Sequence, residues 1–497
     1  MPPPPPSPSS ATFDPGDAPA AVTSIDKCST GIEGIDRVLH GGIPNGRATL
    51  IAGGPGTGKT VIALESLYRG ALAGEPGLFV TFEEEPEAIR RNALALGWDF
   101  AQLEADRRLH IMHSRVPSDL VETGAFDISG LLAVINGRIG EIGGRRIVID
   151  AVDRLMGIFG DPQQREVQLL KLHEWLIARG LTTILTMKES HRTIEGVDSL
   201  EFMVDCVVRL DQRVVGQVAT RRLRVLKYRG SGFLMNEFPY LITAGGVVLM
   251  PVVNPELTHG GTTVRFATGI VGFDDLLGGG LRSGTGTLIV GASGTGKTTL
   301  ACSIAKAACA AGARVLYLTL EEGATSLIET MRSPGIDLQV LIDQDKLRLL
   351  AGMPESMGAE HHLWRLFRAM EAFQPNHIVI DTISACERMG GEAVAFDFLL
   401  RILSLCKERG ISCLCLDQSS PEHSVREISG SGLASLVDTL IVLEQDWPDQ
   451  AHRRQLLIVK MRGSRHSPVR HSWRITDEGI RIDRTASASA DRPREHQ

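Results

Sequence analysis

The octapeptide GGPGTGKT fills residues 53–60, and GASGTGKT fills residues 291–298. Each string fits G-x-x-x-x-G-K-[ST], a loop whose glycines let backbone N–H groups converge on phosphate oxygens. Such a loop works between a strand and a helix, because the helix must turn the positive end of its dipole toward the same anion. RATLIAG (47–53) is a short apolar strand, and VIALESLYRGALA (61–73) has helical spacing. With 53 glycines in 497 residues, chance would supply the motif roughly 0.03 times per chain of this kind, too rarely to account for two matches in the same context.

The two loops belong to a longer repeat. STGIEGIDRVLHGGIPNG (29–46) matches ATGIVGFDDLLGGGLRSG (267–284), with Thr30, Gly31, Gly34, Asp36, Gly41, Gly42 and Gly46 recurring 238 residues later. Lys59 and Lys297 keep that offset, as do Glu83-Glu84 and Glu321-Glu322. Further on the offset drifts to 231 and then 233, as loop insertions would cause. A period this long means a duplicated domain rather than a solenoid. Short apolar strands such as GLFVTF (77–82), RRIVID (145–150) and LTTILTM (181–187) alternate with helical stretches. That alternation predicts an α/β fold: two tandem P-loop domains, each a mostly parallel sheet covered by helices. More alternating, charged strands such as RRLRVLKYRG (221–230) close each copy. The expected limits are a Pro-rich disordered tail at 1–23, domains at 24–250 and 263–483, a linker at 251–262, and a polar tail at 484–497.

Four sets of residues carry the expected chemistry. Gly54, Gly56, Thr57 and Gly58 in the first loop, and Ser293, Gly294, Thr295 and Gly296 in the second, should cradle phosphates. Lys59 and Lys297 should reach the β- and γ-phosphates, and Thr60 and Thr298 should hold Mg²⁺. Apolar strands ending in Asp150 and Asp381 supply the second carboxylate on the metal side. Glu83 and Glu84, like Glu321 and Glu322, follow a strand at the ligand-binding edge of a parallel sheet, where a carboxylate can deprotonate an attacking group. Finally, K-x-R-G recurs as Lys227 with Arg229 and as Lys460 with Arg462. Residues two apart on a strand face the same way, so each pair can present two cations to a γ-phosphate.

Other features narrow the class. A net charge of -7, with 4 Tyr and 5 Trp, argues against a nucleic-acid motor, which would want basic channels and stacking rings. No uncharged apolar run approaches the length of a membrane span, and the N-terminus has no signal-peptide pattern, so a cytoplasmic protein is expected. The eight scattered cysteines read as buried reduced thiols. His361, His362, His466 and His471 lack ligand spacing and are expected at the surface. No N-K-x-D guanine-reading motif is present, which leaves adenine as the base.

Together these residues resemble the KaiC family of RecA-like ATPases, from about residue 24 to 483. The most specific pieces are STGIEGIDRVLHGGIPNGR, GLFVTFEEEPE, LKYRGSG, ATGIVGFDDLLGGGL and VKMRGSRHS. The resemblance implies a double-ring homohexamer with ATP at subunit interfaces, one subunit giving the loop and its neighbour the K-x-R pair. It implies slow hydrolysis in the first ring and, in the family's clock protein, autophosphorylation of an adjacent Ser and Thr in the second. In this chain VDTLI (437–441) aligns Ala434 and Ser435 with that pair. Ser435 is therefore the candidate acceptor, with Ser429 and Ser431 as alternatives. The segment after Gly479 is short against the clock protein's, so binding of a KaiA-like activator is not expected. The leading reading is a Mg²⁺-dependent ATPase with serine autokinase activity and a signalling partner. The alternatives are a RecA-like DNA-dependent ATPase and a non-catalytic nucleotide switch.

Overall fold

The structure, a computed structural model, describes residues 25–114, 127–189, 199–215, 218–249, 264–354, 357–419, 432–446 and 453–483. These residues divide into two compact units, with the break after residue 251 and residues 212–221 assigned to the second. Each unit is built on one nine-stranded sheet.

In the first unit the strand order is Gly246–Leu249, Phe238–Thr243, Val218–Tyr228, Cys206–Val215, Ala48–Gly53, Thr182–Lys188, Arg146–Asp150, Gly77–Thr81 and Leu109–His113. The pairings from Cys206–Val215 to Leu109–His113 are all parallel. The second unit repeats the order, with Gly286–Gly291 as the loop strand between Ser412–Gln418 and Thr439–Asp446. This is the tandem α/β architecture that the strand–helix alternation predicts, in the RecA-like form that the resemblance implies. The charged closing strands form the antiparallel end of the second sheet.

The strands are continuous apolar runs because both faces are covered. Every residue of Ala48–Gly53, Gly77–Thr81 and Arg146–Asp150 is buried. On one face the loop helix Lys59–Leu72 packs Ile62, Ala63, Leu64 and Leu67 into a core that includes Phe79, Trp98 and Phe100. On the other, the helices Ile128–Ile142 and Pro162–Arg179 bury Leu131, Ile135, Leu169 and Leu172 against Leu50, Val80 and Ile149. Asp127 and Asp161 cap those helices by accepting from the backbone N–H groups of Ser129 and Gln164.

The T-G-x-x-G-x-D motif is an architectural device. Asp36 accepts hydrogen bonds from the Thr30 backbone N–H and hydroxyl at 2.9 and 2.7 Å. Asp274 does the same for Thr268, both at 2.8 Å. These bonds fix the short hairpins Lys27–Cys28 with Ile43–Pro44, and Arg265–Phe266 with Leu281–Arg282.

All eight cysteines are buried and unbridged. The histidine expectation needs correcting: His362 is 1% and His471 6% exposed. His362 lies on the buried face of the amphipathic helix Ala359–Phe373. The His471 ring packs inward and its Nε2 sits 2.6 Å from the Ser467 hydroxyl. No helix among the described residues is long and apolar enough to cross a membrane.

Candidate nucleotide sites

Each glycine-rich loop joins the end of a central strand to a helix. Gly58 and Gly296 are the residues just before those helices, with φ of 90° and 98°. A side chain is disfavoured there by the left-handed backbone, and an added Cβ would meet Ile242 at 2.5 Å or Trp473 at 2.6 Å. Inside the loops, buried Thr57 and Thr295 donate to the carbonyls of Gly54 and Ala292, both at 2.8 Å. Gly54 is half-buried, while Gly56, Ser293 and Gly294 are exposed at the loop crests.

The loop lysines fold over their own loops. Lys59 Nζ donates to the carbonyls of Gly53 and Gly54, both at 2.9 Å. Lys297 Nζ donates to those of Gly291 and Ala292 at 2.7 and 2.9 Å. Burial pulls both ammonium groups below the usual lysine range, opposed by nearby carboxylates. Such a cation is poised to exchange carbonyl partners for phosphate oxygens.

The second residue of each helix meets the buried aspartate. Thr60 Oγ1 donates to Asp150 Oδ2 at 3.1 Å, and Thr298 Oγ1 to Asp381 Oδ2 at 2.9 Å. Burial raises both carboxyls above the ordinary aspartate range, while hydroxyl donors pull the other way. A hydroxyl and a carboxylate at this spacing form a hard-oxygen set of the kind Mg²⁺ prefers, keeping the rest of its shell as water and phosphate.

The glutamates of each pair diverge. Glu83 accepts from Arg154 Nε at 2.6 Å and acts electrostatically on both Lys59 and Asp150. Glu321 lies 3.8 Å from Arg388 and acts on Lys297 and Asp381. Glu84 and Glu322 turn to the following helices, toward Asn92 and Ser326. In the second unit an open cavity of about 450 Å³ is lined by Ala292, Ser293, Glu321, Ser384, Arg388 and Gln418, among others.

The K-x-R pairs sit elsewhere. Lys227 Nζ donates to the carbonyls of Glu201 and Phe202, and Arg229 donates to those of Phe202 and Met203. Lys460 donates to the Ala434 carbonyl and Arg462 to that of Ser435, at 2.7 and 2.9 Å. Each pair thus grips the end of a short helix, Ser199–Met203 or Gly432–Leu436. Ser435 is exposed and its hydroxyl donates to the Gly432 carbonyl at 2.6 Å, whereas Ala434 is buried. Ser429 and Ser431 lie outside the described residues.

Sequence reasoning missed the groups that hold the aspartates from the sheet side: the Thr186 hydroxyl on Asp150, and the Tyr317 hydroxyl on Asp381 at 2.7 Å. No motif signals them, because they stand on different strands in the two units.

The family model described as "ATPase: KaiC" matches residues 28–254 and again residues 266–487. The chain belongs to the KaiC family. It is 34% identical to the circadian clock protein KaiC2 of Synechocystis sp. over 461 residues, covering 92% of this chain and 81% of that protein. It is 34% identical to the circadian clock oscillator protein KaiC of Synechococcus elongatus over 460 residues, covering 92% and 89%. The Synechocystis circadian clock protein KaiC3 is 31% identical over 463 residues, covering 92% of each. An ATPase of this family binds ATP.

Proposed function

We propose that this KaiC-family chain binds Mg²⁺-ATP in both units, hydrolyses it in the first, and in the second also transfers the γ-phosphoryl group to Ser435. We further propose that six copies form a cytoplasmic ring assembly that signals to a protein partner. The observation that carries the reading is the recurrence, in both units, of one constellation: a loop lysine folded over its loop, a threonine hydroxyl on a buried aspartate, and one glutamate of each pair facing an arginine and acting electrostatically on that lysine.

Loop backbone and Lys59 or Lys297 would bind the phosphates, and Thr60 with Asp150, or Thr298 with Asp381, would hold the metal. When bound, Mg²⁺ would neutralise the charge developing on the phosphates. Glu83 would take a proton from the attacking water. In the second unit Glu321 would take the proton of the Ser435 hydroxyl as the Oγ–P bond forms and the bond to ADP breaks.

The K-x-R pairs support a shared pocket. Arg462 is bonded to the Ser435 backbone, so a neighbour's nucleotide reached by Arg462 would also meet Ser435. The same position in the first unit is Phe202, which has no hydroxyl and is 77% exposed. There the γ-phosphoryl group would be left to water.

The test uses chains with one loop silenced. In a Lys297→Ala background, Glu83→Gln should slow phosphate release by about a hundredfold, and Glu84→Gln far less. In a Lys59→Ala background, label from γ-labelled ATP should appear on Ser435 and vanish in Ser435→Ala. Undiminished release by Glu83→Gln would remove the proposed base. Hydrolysis without any phosphoserine would reduce the second unit to a plain ATPase.

A further inference from the structure

The two nucleotide sites share a third carboxylate that comes from different elements, a short helix in the first unit and a strand in the second. In the first unit it is Asp153, three residues beyond Asp150. Its Oδ1 accepts from the backbone N–H of Lys188 at 3.1 Å. Lys188 ends the strand beside the loop strand, in register with Gly53, whose carbonyl receives Lys59. In the second unit the position three beyond Asp381 is Ser384. Its Oγ accepts from the backbone N–H of Gln418 at 3.2 Å, and Gln418 is in register with Gly291, the carbonyl partner of Lys297. The tie from helix to strand end is therefore kept with no charge. The charge reappears one residue earlier on the strand: Asp417, opposite Val290, stands where the first unit has Met187, opposite Ala52. Lys59 feels Asp150, Asp153 and Glu83; Lys297 feels Asp381, Glu321 and Asp417.

Because the tie survives in both units, the tie alone does not explain the relocated carboxylate. What is preserved is negative charge beside the loop lysine. Glu83 is paired with Arg154, and Arg388 faces Glu321. In the second site the lysine is then outnumbered by Asp381 and Asp417, at a place meant to receive a polyanion, whereas in the first Lys188 also acts on Lys59 and the two lysines balance Asp150 and Asp153. A divalent cation reverses that balance.

We propose that Asp417, and more weakly Asp153 beside Lys188, are positioning carboxylates that bias their sites against nucleotide phosphates arriving without a divalent cation. The proposal rests on the reading that the loops bind Mg²⁺-ATP. The second unit is the stricter site, with Glu387 acting on Asp417 and Gln418 in place of Lys188.

The experiment measures binding of a fluorescently labelled ATP to the full chain carrying Lys59→Ala, in Mg²⁺ and in EDTA. The parent binds in Mg²⁺ and much more weakly in EDTA. Asp417→Asn strengthens binding in EDTA on the order of tenfold and changes binding in Mg²⁺ little. Adding Ser384→Asp to Asp417→Asn returns the carboxylate from the neighbouring element and restores the discrimination. A thermal transition checks folding. Should Asp417→Asn fail to fold, Met187→Asp in a Lys297→Ala chain adds a carboxylate to the first site and must weaken binding in EDTA further. Binding in EDTA that stays within about twofold of the parent in these variants overturns the proposal and leaves the ATP reading standing. No binding by the parent even in Mg²⁺ overturns the ATP reading itself.

Discussion

Each buried aspartate is held by one hydroxyl from the loop helix and one from the sheet, but the sheet hydroxyl has changed strands. In the first unit Thr186 donates to Asp150, and Phe79 fills the neighbouring strand position. In the second, Tyr317 occupies the position of Phe79 and donates to Asp381, while Leu416 stands where Thr186 would be. Tyr317 and Asp381 are both buried, and a carboxylate that loses a buried donor is costly. Tyr317→Phe should therefore destabilise the second unit by about 1–3 kcal/mol, read from its urea transition. Adding Leu416→Thr should recover part of the loss, because the first unit shows that a threonine on that strand reaches the aspartate. A Tyr317→Phe protein as stable as its parent would mean that the Thr298 hydroxyl suffices.

At the scale of elements, the strand leading to each aspartate starts differently. Arg146 opens the first. It is buried and fully engaged, donating to Glu75 and to the carbonyls of Ser66 and Ser29. His377 opens the second, its ring 4.5 Å from that of Phe266. Where the first unit has Arg69 and Glu75, the second has Ala307 and Ala313, and a groove of about 790 Å³ runs there, rimmed by Arg265, Lys306, Glu478 and Arg481. Burial pushes His377 down to about 4. The unfolded chain binds a proton near the ordinary value of 6.5 and the folded chain does not. Stability is therefore complete above pH 6.5 and is lost as pH falls from 6.5 toward 4, by at most about 3 kcal/mol. The second unit's thermal transition should drop over that window, and His377→Phe should flatten the drop; an unchanged slope would acquit this histidine.

The sequence made the repeated elements legible because loop, strand and helix residues recur at a fixed offset. Glycines 58 and 296, the threonine–aspartate pairs and the K-x-R strands could all be named from spacing. Tyr317, Thr186, Asp153 and Asp417 could not, since each takes a role that another element fills in the other unit and leaves no repeat behind. The choice between Glu83 and Glu84 was equally closed to spacing, because it depends on where each carboxylate turns after the strand ends. His362 and His471 were misplaced at the surface because polarity alone does not tell which face of a helix or strand a residue takes.

At the scale of the whole molecule we propose that neither site is complete in one chain. Among the described residues, Lys227, Arg229, Lys460 and Arg462 hold the ends of short helices, and none of them bonds the loop of its own unit. A cationic strand that makes no bond to its own unit's loop is what a ring would need if each subunit finished the pocket of the next. Under that proposal the two units would carry two chemistries, set by whether Phe202 or Ser435 is presented beside the arginine. The most direct measurement is sedimentation velocity in saturating Mg²⁺-ATP, with phosphate release assayed on the same fractions. The account predicts a particle about six times the 53.7 kDa chain that carries the activity, with release falling away as dilution breaks it up. A monomer that releases phosphate at the undiminished specific rate would contradict it.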